Sequence, residues 1–197
     1  MTEKEFVKKY NVNPEMDERT FTEILNFNNN VMHISNFIKI CKKASKKLDK
    51  RIKHDIDIID PRNQCWGGAF DRLIANIIND YQNKFKYRRC LNHNTERDCV
   101  CIDNNSNDIE VKTALYNLDN NNWNGFYTSK CKNYENSPKY NSPDEYDYYL
   151  FVRLNRNSET CITKVKEIYF GRICEDFWKD NGSISIKVIN KNCVRIL

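Results

Sequence analysis

Three charged residues stand close enough in this sequence to act together. Asp98 precedes the apolar run Cys99-Val100-Cys101-Ile102, and Glu110 and Lys112 follow, either side of Val111. Between them lies Asp103-Asn104-Asn105-Ser106-Asn107-Asp108, a composition that favours a tight connection. The stretch 97–115 therefore reads as two short strands and a turn. Side chains alternate along a strand, so Glu110 and Lys112 share a face, while Val111 points to the other face, into an apolar layer. Two carboxylates and an amine beside a buried hydrophobic layer are what a metal-dependent phosphodiesterase site needs. Asp103 and Asp108 compete with Asp98 for the acidic role, but both sit at the turn, where Asp commonly accepts backbone hydrogen bonds. Asp98 leads the apolar run and is the better separated from the turn.

A Glu-x-Lys triplet alone is weak in a chain with 30% charged residues. Its value depends on the elements that position it. Residues 2–10 read as a short helix, which Asn13-Pro14 breaks, and Thr20 or Thr22 suits the cap of the next. From about Asn29 to His54, Val31, Ile34, Phe37, Ile38 and Cys41 recur at helical spacing. Pro61 closes the segment Ile56–Asp60, and 60–68 reads as a loop. A helix over 67–81 follows, with Phe70, Leu73, Ile74, Ile77, Ile78 and Tyr81 as its buried stripe. Asp71 falls in the first turn of that expected helix, where a carboxylate suits the dipole. Phe85 to Leu91 reads as a strand or an extended entry to the hairpin. Residues 117–145 read as a long loop. Strands are expected at 146–153 and 160–172, a short helix at 175–179, a turn at Asn181-Gly182 and an alternating strand through Ile184, Ile186 and Val188. Val194 to Leu197 is expected to pair with that last strand. The fold class is α/β (α+β): a mixed central sheet flanked by helices. The chain reads as one domain overall, with a helical region at 1–55 packing on a core at 56–197.

The chain has 197 residues and a net charge of +5, which permits a polyanionic partner without requiring one. The charge is clustered. Lys39, Lys42, Lys43, Lys46, Lys47, Lys50, Arg51 and Lys53 fall in one segment, and Lys84, Lys86, Arg88 and Arg89 in another. The first cluster is either the solvated face of an amphipathic helix or a face that touches nucleic-acid phosphates. Trp123, Phe126, Tyr127, Tyr134 and Tyr140, interleaved with Lys130, Lys132 and Lys139, either contact DNA or pack back on the domain. No stretch approaches the length of a membrane span, and Met-Thr-Glu-Lys-Glu is no signal peptide. The nine cysteines are expected to be mostly free thiols in a reducing, cytoplasmic compartment. Cys90, His93, Cys99 and Cys101 are zinc-compatible types, but their spacing fits no common finger, and free Cys behaves as a small buried hydrophobe. His33 and His54 have no nearby nucleophile and read as structural. Cys65 has no evident His-Asn partner for nucleophilic work.

The order of a helical acid, Asp98, Glu110-x-Lys112 and a further strand Tyr146-Asp147-Tyr148-Tyr149-Leu150-Phe151-Val152 resembles the PD-(D/E)XK nuclease superfamily, particularly type II restriction endonucleases. The resemblance spans roughly residues 66–155. Asp98, Glu110 and Lys112 match the family's Asp, Glu and Lys. Asp71 matches the early helical acid, which is usually Glu, and Arg97 stands where many members have Pro. The resemblance implies a restriction-endonuclease-like fold and Mg2+-dependent hydrolysis of double-stranded DNA. It implies Asp98, Glu110 and the Val111 carbonyl as metal ligands, with Lys112 holding or helping to deprotonate the attacking water and Asp71 supporting a second ion or orienting Lys112. Cutting both strands of a palindrome implies a homodimer. Junction resolvases and repair nucleases share this pattern. A nucleic-acid-binding protein with an idle site and an interaction module with a zinc-stabilised hairpin are the alternatives of other classes.

Overall fold

The structure, a computed structural model, describes residues 1–52, 65–81, 84–91, 96–115, 126–127, 147–156, 162–174, 177 and 183–197. Short apolar segments form a six-stranded mixed sheet from β1 (Tyr87–Arg89), β2 (Cys99–Cys101), β3 (Ile109–Leu115), β5 (Asp147–Arg156), β6 (Thr163–Ile173) and β8 (Cys193–Arg195). The order in space is β1-β2-β3-β5-β6-β8. Only β3 and β5 run parallel; the other neighbours are antiparallel. A separate two-stranded ribbon pairs β4 (Phe126–Tyr127) with β7 (Ser183–Ile184). This is the mixed α/β arrangement expected from the sequence.

Period-two alternation gives the sheet two apolar faces. One carries Ile109, Val111, Leu150, Val152 and Phe170, covered by α1 (Glu3–Tyr10), α2 (Glu18–Asn30), α3 (Asn36–Ile52) and α4 (Cys65–Ile77). Phe170 is fully buried there, with its ring centroid 4.7 Å from Phe27 and 5.1 Å from Phe37. Burying such a side chain contributes about 2–3 kcal/mol. The opposite face carries Tyr149, Phe151, Tyr169 and Ile173, which pack with Phe126, Ile184 and Ile189 of α5 (Ile186–Asn192). Glu110 and Lys112 therefore stand on the face opposite Val111, as alternation requires.

Several boundaries differ from the sequence expectation. Asp17, not Thr20 or Thr22, caps α2, its carboxylate accepting from the Thr20 N–H at 3.0 Å. The helix expected from Asn29 is two helices. α2 ends at Asn30 and α3 starts at Asn36, and the buried Asn28 side chain accepts from the Ile34 N–H across the break. The helix expected at 67–81 starts at Cys65, so residues 65–68 belong to it rather than to a loop, and it tightens to a 3-10 turn at Ile78–Asp80. The alternation at Ile184, Ile186 and Val188 is not one strand. Ser185 caps α5 by accepting from the Val188 N–H, and Ile189 turns inward. The C-terminal strand β8 pairs with β6 instead of β7, which β4 already occupies. The expectations for Ile56–Asp60, His54, the turn at Asn181-Gly182, the helix at 175–179 apart from Phe177, and the aromatic loop apart from Phe126 and Tyr127 lie outside the described residues.

Asn79 closes the outer edge of β1. Its Oδ1 accepts from the Tyr87 N–H at 2.9 Å and its Nδ2 donates to the Tyr87 carbonyl at 2.5 Å. The amide takes both outward backbone groups of Tyr87, which an added strand would otherwise use.

Gly171 is dictated by a close crossing. A Cβ there would lie 2.2 Å from the Asn192 carbonyl oxygen and 2.6 Å from the Cys193 Cα, both backbone atoms that cannot swing aside. Gly171→Ala is expected to lower stability by about 3 kcal/mol by parting β6 from β8. Urea unfolding measures this; an unchanged midpoint would mean that the crossing relaxes freely.

Candidate active site

Asp98 lies just before β2, where the two strands of the hairpin part. Backbone pairing of β2 with β3 is confined to Cys99 and Ile109. Beyond it, the Val111 N–H donates to the Asp98 carboxylate at 2.9 Å. A side chain thus replaces the strand partner, and the acid is fixed against Glu110-Val111-Lys112. A residue's N–H and C=O point to the same edge of its strand, so the Val111 carbonyl also faces the Asp98 side. Asp103 and Asp108 do what turn aspartates do. Asp103 accepts from the Lys86 N–H at 3.1 Å, and Asp108 from the Cys101 N–H at 2.7 Å.

Glu110 and Lys112 form an ion pair at 2.6 Å, with side chains only 12% and 18% exposed. Burial works to lower the Lys112 pKa. The Glu110 and Asp98 carboxylates and the hydrogen bond to Glu110 outweigh it, so the pKa is raised above the ordinary lysine value. Lys112 is a firmly held ammonium: a hydrogen-bond donor and a positive charge, rather than a base.

Asp71 joins this group from α4. The helix starts at Cys65, so Asp71 lies beyond the first turn and the dipole explanation for it fails. The apolar residues around it, Phe70, Leu73 and Ile74, are buried and turn this part of the helix onto the sheet. Asp71 as a residue is half-buried, but its Oδ1 is sealed from solvent and has no hydrogen-bond partner among the described residues. Desolvation, then the Asp98 charge, push its carboxyl well above the ordinary value, with Glu110 adding to the rise and Lys112 opposing it. Asp71, Asp98, Glu110 and Lys112 therefore share one electrostatic neighbourhood, although 41 positions separate the first from the last (112 less 71).

Cys99 and Cys101 are fully buried in the main core, and burial pushes the Cys99 thiol well up. They pack as hydrophobes beneath Asp98. Cys90 is buried too, its Sγ 3.7 Å from the Glu96 carbonyl, while His93 lies outside the described residues. Tyr149 was not singled out by sequence reasoning. It stands opposite Glu110 in the parallel register of β3 and β5, on the Lys112 side of the sheet, close enough for its hydroxyl to act on the Lys112 charge. Period-two counting from Leu150, an evident core residue, puts Tyr149 on the other face of its strand, but its place beside Lys112 comes from the pairing of β3 with β5.

The donor set can be tested against Mg2+. Among the described residues, no three His, Cys, Asp or Glu side chains are gathered as a metal cage of their own. Mg2+ does not need one, because it usually keeps several waters and takes only one or two protein carboxylates plus substrate phosphate. Asp98, Glu110 and the Val111 carbonyl suit such a partial shell. The Oδ1 of Asp71, without a partner among the described residues, is a buried acceptor that a nearby cation would satisfy.

Compared with protein-family models, curated proteins and solved structures, the chain matches none.

The raised pKa of Asp71 sets a sign for stability. Folding favours its protonated form, so its contribution is full below the ordinary carboxylate range and is lost as pH rises through the folded value. Asp71→Asn keeps the shape without the charge. In EDTA the variant is expected to exceed the parent in stability by on the order of 1 kcal/mol at pH 8, with the gain shrinking toward pH 4. Thermal unfolding across pH measures it; a variant less stable at every pH would show that the carboxylate is well satisfied.

Proposed function

We propose that this protein is a Mg2+-dependent DNA endonuclease of the restriction type, cutting double-stranded DNA as a homodimer. The observation that supports this is the convergence of Asp71, Asp98, Glu110 and Lys112 from a helix and two parting strands. Three acids and an ammonium held above an apolar core have no structural need of one another. Packing alone would be served as well by neutral residues, because gathered like charges raise the free energy of the fold.

Asp98, Glu110 and the Val111 carbonyl would hold the ion, which when bound supplies Lewis-acid stabilisation of the phosphate and a water of lowered pKa. The hydrogen bond from the Val111 N–H keeps Asp98 in place for that task. Lys112 sets its ammonium beside the scissile phosphate, donating to an oxygen as negative charge develops. Its raised pKa keeps it charged throughout the neutral range, so the proton of the attacking water, made more acidic by a bound ion, would leave to bulk solvent or a phosphate oxygen. Asp71, held toward its protonated form while no ion is present, would add negative charge behind Asp98 and Glu110 once a bound cation favoured loss of its proton. A homodimer would bring two such sites to the two strands of a palindrome.

Incubation with supercoiled plasmid and Mg2+ is expected to give discrete linear fragments, and EDTA to stop the reaction. Lys112→Ala should cut the single-turnover rate by roughly 10²-fold or more while duplex binding in Ca2+ stays near that of the parent. Cleavage by Lys112→Ala at the parental rate would remove the assignment. Cutting of branched DNA only would move it to a structure-specific nuclease.

A further inference from the structure

We infer that the outer face of α3 is a second nucleic-acid surface, which grips the phosphodiester backbone independently of the acidic site. Lys39, Lys42, Lys46 and Lys50 are all exposed on this helix. At 100° per residue they fall within an arc of roughly 80°, and at 1.5 Å per residue they span roughly 16 Å. Lys43 and Lys47 border the row on one side. Lys43 pairs with Asp80 at 2.5 Å, and Lys47 lies within reach of the same carboxylate. The opposite side of the helix, with Phe37, Ile40, Cys41, Ala44 and Leu48, is buried in the core.

The ordinary alternative is a solvated amphipathic helix, and three features weigh against it. Solvated helix faces interleave acids with lysines at i,i+4, and here Lys42, Lys46 and Lys50 repeat one sign at that spacing, each like pair costing a few tenths of a kcal/mol. The one acid of the helix, Asp49, is turned away, its two oxygens accepting from the Thr163 N–H at 3.0 and 3.2 Å. Lys39 lies in the first turn, which holds no acid, although the helix dipole disfavours a cation there. Among the described residues the row is thus an unneutralised line of charge, set against local preference.

A polyanion of regular charge spacing relieves that cost. Duplex DNA carries roughly one negative charge per 1.7 Å of axis, so several phosphates fall within the span of the row. An anionic membrane fits less well. Helices that lie on bilayers insert an apolar face, and the apolar face of α3 is already buried in the protein. The surface does not depend on catalysis. α3 packs against α4, and its Cys41 lies near enough to Asp71 to sense that charge, so the lysine face backs onto the helix that carries the site acid.

The test is equilibrium binding of the full chain to a 30-base-pair duplex (a length of roughly three helical turns) in EDTA, over a range of NaCl. The comparison is between the parent and the fourfold variant Lys39→Gln, Lys42→Gln, Lys46→Gln, Lys50→Gln. Gln keeps helix propensity close to that of Lys, and circular dichroism checks the fold. The slope of log K against log salt is expected to become shallower by up to roughly 3.6, near 0.9 for each of the four lost phosphate contacts. The matching fourfold Lys→Arg variant should restore it, which a variant damaged in folding would not predict. An unchanged slope overturns the inference even if the parent cuts plasmid. A shallower slope sustains it even if the parent cuts nothing, and then the nuclease reading alone fails. Absence of duplex binding by the parent, or tighter binding to phosphatidylserine vesicles than to duplex at equal ionic strength, also overturns it.

Discussion

The hydrogen bond from the Val111 N–H to the Asp98 carboxylate is the interaction on which the site depends. It meets two needs at once. A central strand cannot leave a backbone N–H without a partner away from water, and β2 has already parted from β3 at that point. The carboxylate fills the vacancy, and in doing so it is held beside Glu110. A hydrogen bond to a charged group contributes about 1.5–3 kcal/mol, enough to offset part of the repulsion between the two acids. The anchor beneath is apolar: Cys99, Cys101, Ile109 and Val111 lie in the main core. Asp98 is consequently held at both ends, by its buried strand and by its bond to the neighbouring one.

The other charges follow from this fixed point. With Asp98 in place, Glu110 is an uncompensated acid unless a cation joins it, and Lys112, two residues on and on the same face, supplies one at 2.6 Å. Asp71 then enters from α4 because its helix must pack its apolar stripe on the sheet. Nothing among the described residues satisfies its Oδ1. Asp98 and Glu110 against one lysine leave the group without spare positive charge even with Asp71 protonated. Such an arrangement adds no stability to the fold, and that is what favours the proposed role for its charge.

Much of this was legible in the sequence because short-range rules governed it. Period two placed Glu110 and Lys112 together and Val111 beneath them, and turn chemistry assigned Asp103 and Asp108 to backbone hydrogen bonds. Reading failed where a capping side chain outweighed a pattern. Ile184, Ile186 and Val188 alternate as a strand would, yet the Ser185 hydroxyl starts a helix in their midst. Asp71 was placed on the right helix but explained by the wrong force, since the helix start two residues earlier removes it from the dipole. Tyr149 was missed for a different reason. Its place beside Lys112 follows from the parallel pairing of β3 with β5, a long-range register that no local spacing encodes.

The Glu110–Lys112 pair also bears on how the proposed chemistry would be gated. An oxygen of Glu110 engaged by Lys112 is a poorer ligand than one left to a cation, so the ammonium and the proposed ion would compete for the same carboxylate. Deprotonation cannot resolve the conflict, because Asp98 and Glu110 together keep Lys112 charged. The ammonium needs another anion to turn to. A phosphate entering the site is such an anion, and it also brings oxygen ligands of its own to the ion. On this reading the ion and the DNA bind with mutual assistance: the phosphate draws Lys112 away from Glu110, and the released carboxylate tightens on the cation. Without substrate, the Glu110–Lys112 pair would keep the proposed site partly neutralised by its own lysine.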